Sequence, residues 1–179
     1  MTTATINKTK KPVIESITIK HIFDNSPDVS WLGEYTDKYQ TGAIKRYNAG
    51  NREYKYFIPG ISYKEHWESL HKMGYSKGNC DYLARLYNQQ DYKRMEALNN
   101  GDFGFIGIEA IATVKYSIGQ GNFRLEELSS GGLWGIETDD KAGIQETEKS
   151  QLAELKEHLK VFGISVKNFD KIEIEYKEL

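Results

Sequence analysis

The sequence predicts an α+β domain, an antiparallel sheet of about four to five strands with helices packed on one face. Three observations carry that expectation. In "DFGFIGIEAIATVKYSI", Ile106, Ile108, Ala110, Ala112, Val114, Tyr116 and Ile118 share one parity, the period-2 signature of a strand with one face in a core. "GQGN" at 119–122 reads as a hairpin turn, and "FRLEELSS" at 123–130 returns as the antiparallel partner. Farther on, Leu152, Leu155, Leu159 and Phe162 recur at three- and four-residue steps in "IQETEKSQLAELKEHLKVFG", the spacing of an amphipathic helix.

The other elements follow in chain order. Residues 1–12, rich in Thr, Lys and Asn and closed by Pro12, read as a flexible arm before a single domain over 13–179. In "VIESITIKHIF" Val13, Ile17 and Ile19 share a parity, with Glu15 breaking it once, and Ser16, Thr18 and Lys20 take the other face; this is a strand. "DNSPD" at 24–28 is a turn. Residues 29–62 carry Trp31, Leu32, Tyr35, Tyr39, Tyr47, Tyr54, Tyr56, Phe57 and Ile58 without a sustained period. A short strand in "REYKYFI", ended by Pro59-Gly60, is expected there, and ordered loop elsewhere. A loop that long suggests a contact surface.

Ser62 and Glu65 form a capping-box pattern ahead of "YKEHWESLHKMG", with Gly74 as the stop. His66 and His71 stand about 140° apart on such a helix and read as ordinary polar-face residues. Asn79 is the expected cap of the next helix, through Leu83, Leu86, Tyr87, Met95 and Leu98 to Asn99-Asn100-Gly101, with Asn88-Gln89-Gln90 as a candidate break. Arg85, Lys93 and Arg94 read as a solvated face. The chain closes on "DKIEIEYKEL", a strand whose Glu173, Glu175 and Lys177 would protect an edge.

Composition narrows the function. With 179 residues, 39% hydrophobic and 28% charged, the chain can bury one core. It shows neither an apolar run of about 20 residues nor a secretory leader, so the expected compartment is the cytoplasm. One cysteine, Cys80, rules out an internal disulfide and a cysteine-based zinc site; it reads as a small buried helix residue. A net charge of −2 argues against a broad nucleic-acid footprint and is too mild for wholesale DNA mimicry. Twelve tyrosines suit either an interface or a half-exposed sheet face.

"SSGGLWGIETDD" at 129–140 is the most unusual stretch. It lacks the Lys-Ser or Lys-Thr of a P-loop and the G-x-G-x-x-G spacing, and it follows a hairpin strand instead of opening a βαβ unit. It lacks the G-x-S-x-G of a nucleophile elbow. Glu137, Asp139 and Asp140 could hold a hard cation, but the calcium-loop spacing is missing and no histidine is near. The structural reading is a corner: Gly131-Gly132 allow close backbone approach, Leu133, Trp134 and Ile136 anchor it, and Thr138 or Asp139 starts the next helix. An exposed Trp134 beside acids would make a protein-binding anchor. No catalytic arrangement is legible, so the expectation is a non-enzyme without cofactor or metal.

"SPDVSWLGEYTD", "DYKRMEALNNGDFGFIGIEAIATV" and "SSGGLWGIETDD" followed by "QLAELKEHLKVFG" occur in that order over about residues 26–163. They resemble a widespread group of small phage and mobile-element proteins marked by GGLWGIE(S/T)D, associated with type II anti-CRISPR proteins. The resemblance implies a phage-encoded inhibitor of host defence that binds the Cas9–guide RNA complex, or its DNA-bound form, in the host cytoplasm. It would block target binding or cleavage without catalysis. It makes Trp31, Tyr35, Trp134, Glu137, Asp139 and Asp140 candidates for contact. Glu146 and Glu148 would extend the acids into a patch facing a basic groove. Two alternatives stay open: an inhibitor of another defence system, such as restriction, and a phage accessory protein that binds nucleic acid through the Lys-rich arm and stacking tyrosines.

Overall fold

A computed structural model describes residues 11–46 and 54–178, so residues 1–10 of the expected arm, and Tyr47, lie outside the described residues. The fold is α+β, and the described residues form a mostly antiparallel five-stranded sheet, a three-stranded sheet and three α-helices. The chain forms two compact units. One comprises the described residues up to Asn25 together with those from Gly104 onward, and the other is Ser26–Phe103. Among the described residues no helix is long and apolar enough to cross a membrane.

The first unit is built on β1 (Val13–Phe23) and β5 (Phe105–Gly119), antiparallel neighbours at the centre of the order β6-β5-β1-β8. The hairpin partner β6 (Asn122–Ser129) pairs the far half of β5. Gln120 and Gly121 both take positive φ in the turn, 50° and 81°, the pattern of a type I′ hairpin. The opening of "SSGGLWGIETDD" turns a corner as expected, but its second half is a strand: β7 (Leu133–Glu137) pairs the near half of β5, along the same edge as β6. Helix α3 (Lys141–Val161) follows and is capped by Asp140, not by Thr138 or Asp139.

The last strand, β8 (Ile174–Glu178), lies parallel to β1 at the opposite edge. Since β7 also runs parallel to β1, β7–α3–β8 is a crossover from one edge to the other. This corrects the expectation that the GGLWG stretch opens no βαβ unit. Parallel strands require such a helix.

The core lies between this sheet and α3. Ile17, Ile19, Ile108, Ala110, Ala112, Val114, Leu155 and Leu159 are fully buried, and each large aliphatic among them stabilises the fold by about 1.5–3 kcal/mol. Phe162, expected on the helix's apolar stripe, is exposed. The helix has ended by then; Phe162 is its C-cap and Gly163 turns left-handed at φ +72°.

Val13 is a second correction. It is 61% exposed, while Ile14 packs on the core. A bulge between Ile14 and Ser16 places one extra residue, Glu15, against β5, and the parity of the strand inverts there.

The second unit carries the three-stranded sheet β2-β4-β3, from β2 (Gly33–Thr36), β3 (Ile44–Lys45) and β4 (Tyr56–Pro59). The expected short strand near 52–58 is therefore β4, but β2 and β3 occupy what reads as loop. Leu32, Phe57 and Met95 form one small core.

Helix α1 (Tyr63–Lys72) starts on the expected capping box, with Ser62 and Glu65 bonded reciprocally. Helix α2 (Lys77–Asn100) is continuous through Asn88, which is buried, and ends at Gly101 as expected. Its cap is Ser76, whose hydroxyl accepts from the Asn79 N–H, so Asn79 is the capped residue and not the cap. Leu70, Cys80 and Ala84 pack where α1 meets α2. The Tyr63 hydroxyl and Trp67 Nε1 both donate to Asp81, at 2.5 and 2.9 Å, and clamp the two helices.

Candidate functional site

The site assembles where β6 hands over to β7. Ser130 stays in register but turns its side chain into the ladder. Its N–H donates to the Ala110 carbonyl at 2.9 Å, and its hydroxyl accepts from the Ala110 N–H at 3.0 Å. The same hydroxyl donates to Gln151 Oε1 of α3 at 2.6 Å. Ser130 and Gln151 are 2% and 3% exposed, and each satisfies the other where a buried polar group would otherwise be costly. Ser129 donates to Glu109 and accepts from the Gly131 N–H at 2.8 Å. Gly131 and Gly132 then take φ of +98° and +80° and bend the chain back onto β5, backbone that favours glycine.

Leu133 pairs with Ile108, and Ile136 pairs with Ile106. Two residues, Trp134 and Gly135, therefore stand against one, Gly107. Gly135 has φ +80°, so this is a bulge that re-aims a side chain. The side chain is Trp134. Its indole lies on Gly107, where an added Cβ would be 2.5 Å from Cε3 and 2.6 Å from Cδ2. The glycines around the tryptophan thus have distinct tasks. Gly107 clears the floor, Gly135 turns the ring over it, and Gly132 passes close to the indole nitrogen, 3.7 Å from its own would-be Cβ. The ring remains 51% exposed. Leu133, 48% exposed, adds apolar surface on the same strand.

Acids continue from the tryptophan. Glu137 pairs with Phe105 in the ladder and is half-buried. Thr138 closes the strand end, donating its N–H to the Gly104 carbonyl at 3.0 Å and accepting the Gly104 N–H at 2.9 Å. Asp139 is exposed. Asp140 accepts the Gly143 N–H at 3.0 Å and caps α3, placing negative charge at the positive helix end. That cap, with Asp139 beside it, repels a phosphate from the turn between β7 and α3.

Glu146 is exposed on α3, whereas Glu148 turns toward the sheet and meets His21 Nε2 at 2.9 Å. The structure therefore brings Trp134, Glu137, Asp139 and Asp140 together on one strand and turn. Glu146 lies farther along α3, and Glu148 is engaged with β1.

Trp31 and Tyr35 belong to the second unit. Trp31 is 52% exposed, and its carbonyl lies so close to Gly60 that an added Cβ there would be 2.4 Å away. Tyr35 is an internal strut. Its hydroxyl donates to Glu96 at 2.9 Å, its ring lies 3.9 Å under the Arg46 guanidinium, and Arg46 Nε donates to Glu96 at 2.6 Å. Burial, then the bond to Glu96, pushes the Tyr35 hydroxyl well above its ordinary pKa.

Sequence reading does not single out Gly107 or Ser130 for this site. The signal for Gly107 is a glycine at an outward position of an otherwise unbroken strand. Comparison of the chain with protein-family models, curated proteins and solved structures finds no match.

Proposed function

We propose that this protein is a phage-encoded inhibitor of host defence that acts by binding, and that its partner is the Cas9–guide RNA complex or its DNA-bound form. One observation carries the binding reading: the Trp134 indole is half-exposed yet seated on Gly107 by a bulge. A large aromatic held in one orientation loses little freedom when a partner closes over it, which makes it a strong anchor. Glu137 and Asp139 follow that anchor along the strand and turn with acceptor oxygens suited to a basic groove, and Glu146 adds a further exposed carboxylate on α3. The resemblance described above supplies the identity of the partner. Inhibition then consists of occupying the groove that target DNA needs, with no bond made or broken.

The test is target-DNA cleavage by purified Cas9 loaded with several guides. The wild-type protein is expected to stop cleavage. Trp134→Ala is expected to weaken inhibition about thirtyfold, the size of a hot-spot loss. The Glu137→Lys/Asp139→Lys pair, which spares the helix cap, should weaken it further at low salt than at high salt. Cleavage unaffected by the wild-type protein overturns the choice of partner. Inhibition that survives both variants overturns the choice of site.

A further inference from the structure

The outer edge of β6 is open. Among the described residues the strand pairs only with β5 and ends the sheet order. From Asn122 to Ser129 it carries no proline or lysine, and the register irregularity of its ladder lies at the hairpin end, between Ser117 and Gly119. Its guards are the charges of Arg124, Glu126 and Glu127, which turn away an approaching strand unless that strand carries the matching charges. Its side chains are also uncovered: Phe123 is 52% and Leu125 49% exposed, and Arg124 and Glu126 are 61% and 41% exposed.

We infer that β6 is a homodimer edge, pairing antiparallel with β6 of a second copy about a two-fold axis through Leu125. The inference is independent of the proposed Cas9 partner and rests on the order of charges in "NFRLEELS". A two-fold axis perpendicular to the sheet keeps its faces aligned, so it must pass through a residue that meets itself. Centred on Arg124, the pairing sets arginine against arginine. Centred on Glu126 or Glu127, it sets carboxylate against carboxylate. Centred on Phe123, it leaves only a short overlap next to the hairpin turn.

Centred on Leu125, it sets leucine against leucine on one face. On the other it sets Arg124 of each copy, which within one chain meets Glu126 at 2.9 Å, against Glu126 of its mate as well, twice. Cross-strand neighbours of opposite charge stabilise a sheet, and like charges directly opposite destabilise it. The sequence therefore disfavours the neighbouring registers, and a centre at Leu128, near the end of the strand, leaves a short overlap that brings no opposite charges together. In the register centred on Leu125, Phe123 and Leu125 of both copies cover each other on the outer face. Lys115, whose Nζ lies 3.8 Å over the Phe123 ring, brings a cation to the place where the mate's Glu127 arrives. Trp134, on β7, lies outside the paired stretch.

The experiment is sedimentation equilibrium on the full chain across the micromolar range, with circular dichroism confirming that each variant is folded. The wild type is expected to dimerise. Arg124→Glu and Glu126→Arg should each raise the dimer dissociation constant about tenfold or more, because each replaces two attractive cross-strand pairs with repulsive ones. The double variant, with the two charges exchanged, should recover the dimer. Mixing the two single variants should give a heterodimer that neither forms alone, because each then supplies the charge the other needs. A wild type that stays monomeric at hundreds of micromolar overturns the inference. So does a dimer indifferent to both single changes, or a mixture that fails to associate.

Discussion

Gly107 and Trp134 show how one missing side chain can create a surface. The indole rests where a Cβ would stand, 2.5 Å from its ring carbon, so Gly107→Ala must lift the ring, the strand or both. Overpacking of this kind costs about 1–3 kcal/mol. The loss belongs to the pair and not to the strand, since alanine is otherwise better than glycine in extended backbone. Gly107→Ala is therefore expected to destabilise the wild type by that amount and to cost little or nothing in a Trp134→Ala background. Denaturant unfolding of the four proteins of the cycle measures the coupling, and the Trp134 indole N–H resonance reports directly whether the ring has moved. Equal costs in both backgrounds would show that the indole does not bear on Gly107. The pair was half legible. "GGLWGIE" marks a tryptophan that needs glycines near it, but the glycine beneath it lies far upstream in "FIGIEA", and register across a bulge is invisible to a periodicity count.

At the level of elements, legibility followed length. The sustained alternation of β5 and the apolar steps of α3 show in the sequence because many residues vote for one period. β2 and β3 have four and two residues, too few for a period to emerge from a run of aromatics, whereas β4 shows because Pro59-Gly60 marks its end. β7 reads as a corner because Gly131 and Gly132 turn the chain just before it and its own Gly135 serves a bulge. β1 is a subtler case. Val13 shares a parity with Ile17 and Ile19, but the extra residue Glu15 inverts the strand and brings Ile14 inward.

That geometry makes an unusual prediction for β1. Deleting Glu15 joins Ile14, opposite Val114, directly to Ser16, opposite Thr113, giving a regular ladder with Ile14 still in the core. The deletion removes only the surface pair between Glu15 and Lys115 at 3.3 Å, so its cost should stay below about 1 kcal/mol. Deleting Thr18 instead brings Ser16 to the place of the fully buried Ile17 and should cost at least about 3 kcal/mol. Thermal unfolding of the two deletions separates them. A Glu15 deletion as damaging as the Thr18 deletion would mean that the bulge itself is required.

At the scale of the whole chain, the sequence reads as one domain over 13–179, yet its contacts gather in two units. The boundary leaves no compositional mark. "DNSPD" and "NNGDFG" are dense in turn formers, but so is any tight connection, and neither is a long polar linker. What defines the boundary is the β1–β5 ladder. It continues to Phe23 opposite Ile106, and the Asp24 N–H then donates to the Phe105 carbonyl at 2.8 Å. The chain thus leaves the first unit and re-enters it at neighbouring points, as a hairpin does. Ser26–Phe103, with cores of its own around Phe57 and Cys80, is the stretch of sequence inserted between those points. Insertions of this kind are tolerated because the parent fold sees only two adjacent ends. Replacing 26–103 with a short Asn-Gly turn should therefore leave β1 and β5 paired in the same register. The shortened protein is expected to unfold cooperatively on heating and to keep the Trp134 indole resonance near its wild-type position. A shortened protein that shows no cooperative transition would place the stability of the five-stranded sheet outside its own core of isoleucines and leucines.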